Sequence, residues 1–290
     1  MANTFLTPDI IAREALMVLR NNAVMAKLVH RDYSNDFIGA VGDTITVRKP
    51  ATFVANDYNG SIEVQDATEN SVSVKMDKHL DVSFAVTSKQ MAMEIEDFSK
   101  QLLVPAMQAF ADKIDKMLIA LESEATHRVP HASGIIAPAD LIAARKHLNE
   151  CAAPMTDRRF IVGADAEAEL LSNELFISAD KVGDEGTALR EASLGRKFGM
   201  DVYLDQNVVK NGDYVPSIAF HKNAMALVTR PLPLPQGAAK SAIVNYDGFG
   251  LRVVYGYDMD KKTDTISIDM LCGVKLLDDN LIAVVADSRA

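Results

Sequence analysis

The sequence contains no tryptophan and only two cysteines, Cys151 and Cys272, among its 290 residues. The two cysteines lie far apart and form no CxxC pair, so a reduced, intracellular site of synthesis is the simplest interpretation. No apolar run approaches the roughly 18 residues that a transmembrane helix requires. The first residues also lack the basic start and apolar core of a signal peptide. We therefore expect a chain that is made inside the cell and spans no membrane.

Basic residues are too few for a protein that binds nucleic acid through its phosphates. The chain has 40 acidic and 30 basic side chains, which gives a formal net charge of −10 at pH 7. Phosphates would repel such a chain overall, so any contact with a polyanion has to be local. The 48% of hydrophobic and 24% of charged residues are typical of a globular protein with one large domain or two ordinary ones.

Motifs of enzymes and cofactor sites are absent or incomplete. No GxxxxGK[ST], GxSxG or HExxH sequence occurs. Residues 248–250 begin a GxG, but a strand pattern follows where a dinucleotide site needs a helix. His127 and His131 have the spacing of a helical metal pair, but Pro130 between them predicts a loop with solvated histidines. Residues 258–260 begin like a calcium loop that two lysines then interrupt. We expect no catalytic residue, cofactor or metal.

The stretch around which the chain is organised runs from residue 71 to residue 87. Its even positions are mostly apolar and its odd positions mostly polar, which is the alternation of a half-buried strand. About 17 residues of strand span roughly 55 Å, whereas a compact protein of this size is only about 50 Å across. The strand must therefore be bent or broken, or leave the body as an arm. We favour the arm.

Residues 43–87 together read as a long two-stranded hairpin. Pro50 lacks a backbone N–H and so places its strand at a sheet edge, while Asn59 and Gly60 form a tight-turn signal. An isolated hairpin is marginal in water and needs a surface to lie on. We expect another copy to cover its apolar side. Lys78 interrupts that side; it either reaches solvent or meets a carboxylate of a neighbouring subunit.

Two helical regions flank the hairpin. Thr7 and Pro8 begin an N-terminal helix with an apolar stripe, and a second short helix follows at residues 24–29. This region either packs in the core or docks elsewhere as an arm. Residues 91–121 form a long helix with one apolar face, in which Pro105 marks a kink or a restart.

The rest of the chain predicts a compact α+β subdomain and a terminal sheet. Short elements alternate between residues 135 and 235: helices at 138–151 and 165–171, and strands at 159–163, 200–204, 218–220 and 226–228. From residue 251 onward, three strands of a meander are expected to pair with the base of the hairpin beneath the long helix. The fold class is therefore α+β.

Four stretches resemble a known family. They are MANTFLTPDIIAREAL at residues 1–16, VGDTITVRKP at 41–50, DKHLDVSF at 77–84 and FHKNAMALV at 220–228. In these stretches the chain resembles the major capsid (coat) proteins of tailed double-stranded-DNA phages, which have the HK97-type fold. The resemblance covers essentially the whole chain in the same order. None of the stretches is catalytic, so their specificity lies in occurring together.

The resemblance implies a division into the parts of that fold. The corresponding ranges are 1–42 for the N-terminal arm, 43–75 for the extended loop, 76–134 with 241–290 for the peripheral domain with its spine helix at 91–121, and 135–240 for the axial domain. It also implies the function, an icosahedral shell that encloses packaged DNA without enzymatic activity. Implied partners are further copies in hexamers and pentamers, a separate scaffolding protein and a portal. Assembly in the host cytoplasm, the virion as destination, and no sequence-specific DNA contact are implied as well.

The predicted assembly interface gathers basic pairs, residues of the hairpin and its tip, and a proline-rich segment: Arg13, Arg20, Arg48, Lys49, Pro50, Asp57, Asn59, Gly60, Glu63, Asp66, Lys78, Arg158, Arg159, Pro231 and Pro233. Two alternatives stay open at this point. An encapsulin-like bacterial compartment has the same fold around cargo enzymes. A soluble α+β enzyme with a hairpin lid would need a convergent acid/base or metal cluster, and the sequence offers none.

Overall fold

The protein is described by a computed structural model, and its class is α+β, as predicted. The residues described are 8–32, 44–48, 53, 55–57, 60, 64, 71–87, 99–129, 136–177, 194–208, 215–237, 240–246 and 249–285. The α-helices within them are α1 (Pro8–Asn22), α2 (Met25–Leu28), α3 (Val104–Ala120), α4 (Pro138–Glu150), α5 (Ala164–Leu171) and α6 (Glu174–Ile177).

The strands are β1 (Thr44–Arg48), β2 (Ser71–Lys75), β3 (Lys78–Thr87), β4 (Arg128–Val129), β5 (Arg158–Val162), β6 (Arg196–Lys197), β7 (Met200–Leu204), β8 (Ser217–His221), β9 (Met225–Arg230), β10 (Lys240–Tyr246), β11 (Phe249–Asp258), β12 (Thr263–Leu276) and β13 (Ile282–Val285). They form a ribbon of β1 and β2, a five-stranded sheet and a six-stranded sheet.

The N-terminal helices belong to the core of their own subunit. The predicted stripe of α1 is buried throughout, at Ile11, Ala12, Ala15, Leu16 and Leu19. It packs against α3 and against β10 and β11. Helix α2 follows after Asn22, where the sequence predicted an interruption. Residues 8–32 therefore do not extend away as an arm, because their apolar face already has a partner in the same chain.

The run from residue 71 to residue 87 is broken rather than continuous. Strand β2 pairs with β1, and β3 pairs with β12 after a break at Met76 and Asp77. At this break the backbone of Lys75 crosses very close to Gly273 of β12: a Cβ on Gly273 would lie 2.1 Å from the Lys75 carbonyl oxygen. The expectation of one long projecting strand was wrong, because its second half is a strand of the body.

The five-stranded sheet has the order β10, β11, β12, β3, and β9 pairs with the far end of β12. The predicted pairing of the C-terminal strands with the hairpin is confirmed by the β3–β12 register. The predicted third strand of the meander was wrong. Residues 274–276 continue β12, and residues 282–285 leave this sheet altogether. A strand at residues 240–246 was not predicted.

The six-stranded sheet has the order β4, β13, β8, β5, β7, β6. The predicted short elements between residues 138 and 221 are confirmed there, with boundaries within one residue for most of them. Its strands β4 and β13 come from outside the predicted range 135–240, whereas β9 inside that range joins the other sheet. Hydrogen bonding therefore crosses the limits of the predicted range 135–240, and the division into domains stays a prediction.

Both faces of the six-stranded sheet are covered. Along β5, Phe160 and Val162 point into a core with α4 and α5, while Ile161 points into the larger core with α1 and α3. Successive side chains thus point to opposite faces of the sheet, which is the two-residue period of a strand. All four residues of β13 are buried as well.

Helix α3 is the described part of the predicted spine helix. A π-helical turn at Ser99–Leu103 precedes it, and Pro105 stands in its first turn, so that the proline marks a restart of the α-helix. Its buried stripe includes Met107, Phe110, Ile114 and Leu118, spaced by three or four residues. At 1.5 Å per residue it is about 25 Å long. Residues 91–98 of the prediction lie outside the described residues.

Candidate assembly surfaces

The base of the ribbon is covered by its own subunit. We define the ribbon base as residues 44–48 and 71–76. Val47, Val74 and Met76 are buried against Ala226 and Val228 of β9 and against Leu277. The expectation that only another copy could cover the apolar side of the hairpin was therefore wrong for this part.

The distal ribbon, defined as residues 49–70, is different in its described positions. Phe53 is 64% exposed and Val64 is 89% exposed. Asp57 and Gly60 are exposed too, and Gly60 has a φ of +93°, which agrees with the predicted turn. Large apolar side chains with this exposure are candidates for contact with another chain. Lys49, Pro50, Asn59, Glu63 and Asp66 lie outside the described residues.

Lys78 stands at the start of β3 and is exposed. Its Nζ lies 2.9 Å from Oδ2 of Asp77, the residue in the break between β2 and β3. The hydrogen bond from Lys78 lowers the pKa of the Asp77 carboxyl. Lys78 thus reaches solvent beside an acid of its own chain, which is one of the two predicted alternatives. A contact with a neighbouring carboxylate stays a prediction.

Arg158 is not available to a neighbouring subunit. It is 3% exposed, and its guanidinium donates to the carbonyl oxygens of Pro154 and Ala153 and to Oδ1 of Asn149, at 2.6 to 2.7 Å. These bonds fasten the end of α4 to β5. The prediction of Arg158 as an interface residue is corrected, because every one of these donors is used inside the subunit.

The other basic candidates differ in their surroundings. Arg13 is exposed on the solvent side of α1. Arg159 is mostly buried; it donates to the Leu28 carbonyl oxygen and lies 3.9 Å from Asp157. Of Arg20 and Arg48 only the backbone is described, in α1 and at the end of β1. The structure thus leaves Arg13 as the basic N-terminal candidate whose side chain faces solvent.

The proline-rich segment follows β9 and packs on the five-stranded sheet. Pro231 is half-buried beside Gly250, where an added Cβ would lie 2.4 Å from its Cδ. Pro233 is exposed, and its carbonyl oxygen accepts a 2.6 Å hydrogen bond from Arg252. Arg252 in turn pairs with the buried Asp269 of β12. The segment therefore has a fixed position on the sheet, which sequence reasoning did not foresee.

Sequence reasoning also missed two buried carboxylates, one on α3 and one directly after β7. Asp115 of α3 and Asp205 after β7 are both 1% exposed. Desolvation by burial raises the pKa of Asp115 to about 7 and raises the pKa of Asp205. A cavity of about 590 Å³ lies beside Asp205, lined by Gln108, Asp112 and residues 204–207 among others. No spacing in the sequence connects these residues, because separate elements bring them together.

The weak metal and nucleotide patterns acquire no support. Within the described residues no group of three or more histidine, cysteine, aspartate or glutamate side chains is arranged to hold a metal ion. The ring of His127 stacks on that of His147, with centroids 4.1 Å apart, and His131 lies outside the described residues. Phe249 begins a strand, as expected from the pattern. Among the described helices, none is long and apolar enough to cross a membrane.

Comparisons with known proteins agree on the fold. No protein-family model and no curated protein sequence matches the chain. Solved protein structures do match the chain. A chain of Mycobacterium phage Che8 matches with a TM-score of 0.68 and 20% identity, over 91% of this chain and 90% of that one.

Two further matches come from other sources. The capsid structure of the cyanophage P-SCSP1u matches with a TM-score of 0.63 and 14% identity, over 87% of this chain and 85% of that one. A virus-like particle from Pyrococcus furiosus matches with a TM-score of 0.56 and 12% identity, over 96% and 98%. These likenesses cover 87% to 96% of this chain. The chain therefore has the HK97-type fold of phage major capsid proteins.

Proposed function

We propose that the protein is a major capsid protein whose copies assemble into an icosahedral shell around packaged phage double-stranded DNA. The observation that carries the proposal is the match along nine-tenths of the chain to a phage structure, joined by the match to a cyanophage capsid. Because the whole length of the fold is shared, the likeness is not limited to one common substructure. In this role the protein is structural and has no enzymatic activity.

The surface of the subunit supports this role. The ribbon base packs against β9 of its own subunit, but Phe53 and Val64 of the distal ribbon are exposed. When a patch on one copy contacts a different patch on the next, repeated contacts close into rings if the rotation permits. We propose that the distal ribbon makes such a contact on a neighbouring copy, with Asp57, Gly60 and Lys78 at or near it. Arg13 and Pro233 are further candidates.

The charge of the chain is compatible with a container. A net charge of −10 gives no general affinity for phosphates. We propose that the shell encloses DNA without binding it sequence-specifically. DNA that is driven in under force does not have to be held by the wall. We propose hexamers and pentamers of this chain as the units of the shell, a separate scaffolding protein and a portal as assembly partners, and the host cytoplasm as the place of assembly before the virion.

A compartment shell around protein cargo is the second candidate. The match to the virus-like particle from Pyrococcus furiosus favours keeping it, since it covers 96% of this chain. The two candidates differ in what the cavity holds, not in the subunit. Their separation therefore requires analysis of particle contents.

Electron microscopy of the purified full-length protein, expressed alone and with its proposed scaffold, tests the assembly. We expect closed icosahedral particles in at least the second preparation. A small, discrete oligomer in both preparations, measured by static light scattering, would contradict a shell and favour the soluble enzyme. Nucleic acid in particles from infected cells supports the capsid, whereas protein cargo without nucleic acid supports the compartment.

A further inference from the structure

A histidine and a cysteine meet at the end of helix α4. His147 lies in the last turn of this helix and Cys151 is the residue that ends it, so the two side chains are four positions apart on one helix face. Nε2 of His147 lies 3.5 Å from Sγ of Cys151. Both residues are half-buried, so ions in solution can reach them. Imidazole nitrogen and thiolate sulfur are the ligand atoms that zinc and related divalent ions prefer.

The distance between these two atoms is that of a zinc site. Zinc binds thiolate sulfur at about 2.3 Å and imidazole nitrogen at about 2.0 to 2.1 Å, in tetrahedral geometry. Two bonds of these lengths that meet at the tetrahedral angle place the sulfur and the nitrogen about 3.5 to 3.6 Å apart. The observed distance of 3.5 Å therefore allows one ion to bind both atoms with almost no movement of either side chain.

Neighbouring residues hold the histidine ring in position. The ring of His147 stacks on that of His127, with centroids 4.1 Å apart. Nε2 of His127 in turn lies 3.6 Å from Oδ2 of Asp279, whose other carboxyl oxygen accepts the Thr126 N–H at 2.9 Å. A ligand whose orientation is fixed by its neighbours loses less freedom when the ion binds. The pair is therefore better prepared for an ion than two side chains on an isolated helix.

The charges around the pair suit a cation. Burial, and after it the charge of His127, lowers the pKa of His147, so its ring is neutral near pH 7 and can bind an ion. Glu150 and Asp279 supply negative charge on two sides of this ring, and Glu150 also pairs with Lys146 at 3.5 Å. The C-terminal end of α4 adds the negative end of the helix dipole, which favours positive charge.

We propose that His147 and Cys151 bind one divalent ion of the zinc type per subunit, through Nε2 and the thiolate sulfur, with water in the remaining positions of the tetrahedron. The thiol releases its proton to solvent as the ion binds, because the thiolate is the ligand. Two protein ligands agree with the finding that no three such side chains of the described residues are arranged around one ion. His127 positions the His147 ring by stacking on it.

The expectation of no metal came from other motifs, and the helical spacing of His147 and Cys151 was the signal that sequence reasoning missed. An ion held by two side chains of one helix strengthens the last turn of α4. The proposal concerns a single subunit and does not depend on the shell function.

Absorption spectroscopy with Co²⁺ on the purified, reduced, full-length protein tests whether a thiolate is a ligand. Co²⁺ binds to the same ligands as Zn²⁺, and a bond from cobalt to a thiolate gives a charge-transfer band in the near ultraviolet. We expect this band to saturate at one ion per subunit and to disappear when excess Zn²⁺ displaces the cobalt. No such band in the wild-type protein would overturn the proposal, and this measurement requires no variant.

Titration calorimetry with Zn²⁺ tests which residues bind the ion. Cys151→Ala and His147→Gln should each weaken binding at least about tenfold, because each removes one of the two protein ligands. Cys272→Ala is the matched control. Cys272 is fully buried in β12, and burial raises the pKa of its thiol to about 12, so the zinc affinity should not change. Wild-type affinity in Cys151→Ala would place the ion elsewhere and overturn the proposal.

His127→Phe separates the positioning role of His127 from a role as a ligand. Phenylalanine keeps an aromatic ring for the stack on His147 but has no nitrogen to bind an ion. We expect the zinc affinity of this variant to stay within about threefold of the wild-type value. A loss as large as that of Cys151→Ala would make His127 a third ligand and contradict the arrangement of two protein ligands.

Discussion

Val74 of the ribbon base and Val64 of the distal ribbon are the same kind of side chain in different surroundings. Apolar and polar residues alternate in the base, and the alternation continues at residues 62–64 of the distal ribbon. In the base, Val74 is fully buried on β9 of the same subunit, whereas Val64 in the distal part is 89% exposed. The difference lies in the residues available to cover the side chain rather than in its chemistry. Burial of a valine contributes a similar free energy wherever another surface covers it.

This comparison separates folding from assembly. Residues at the base contribute to the stability of the subunit, because their burial is complete before any second copy arrives. Exposed apolar residues of the distal ribbon contribute only when another chain covers them. Substitutions in the two parts should therefore affect different measurements, and the following predictions test this in order of decreasing effect on stability.

Gly273→Ala should have the largest effect. The new Cβ would lie 2.1 Å from the carbonyl oxygen of Lys75 and 3.1 Å from Cα of Met76, so the backbone of the ribbon base has to move off β12. We expect a loss of about 3 kcal/mol, measured by chemical denaturation. Gly256→Ala in the neighbouring strand is the control, since nothing lies within 4 Å of its added Cβ. Equal stability of the two variants would contradict the close crossing.

Val74→Ala should destabilise the subunit by about 2 kcal/mol. It removes two methyl groups from the fully buried contact between β2 and β9 and leaves a small cavity. The melting temperature of the purified protein is the measurement. If it stays at the wild-type value, the base is not sealed on the body in solution, and the comparison with the distal ribbon fails.

Lys78→Glu should block assembly with little change in folding. The exposed lysine pairs with Asp77 at 2.9 Å, and an exposed pair of this kind contributes at most about 1 kcal/mol. The reversed charge would repel the predicted carboxylate of a neighbouring subunit. Particle yield by electron microscopy and the circular dichroism spectrum are the two readouts. Lys78→Arg keeps the charge and should assemble; normal particles from Lys78→Glu would exclude the contact.

Val64→Ser should change the stability of the subunit least, by less than about 0.5 kcal/mol, because the side chain is already in solvent. Particle yield should nevertheless fall when the serine replaces an apolar contact with another copy. The same substitution at Val74 should do the reverse and lower stability first. Full assembly by Val64→Ser would place the intersubunit contact of the ribbon elsewhere.

Much of the local structure follows from the sequence alone. The start of α1 at Pro8, its buried stripe, the restart at Pro105 and the strands β5, β7 and β8 are all set by interactions between near neighbours in the chain. Proline geometry and the two periods of hydrophobic residues act over a few positions, so they can be read without a structure. The order of the four family-like stretches likewise predicted the fold that the solved structures share.

Only the tertiary structure shows which surfaces those elements pack against. In the folded chain, the run of residues 71–87 is interrupted where Lys75 crosses Gly273, and β13 pairs within the six-stranded sheet. Arg158, Asp115 and Asp205 are buried. Each of these outcomes depends on atoms from segments distant in sequence that compete for the same space or the same hydrogen bonds. Alternation along one segment indicates that one of its faces will be buried. Which element covers that face is determined only when all the segments pack together.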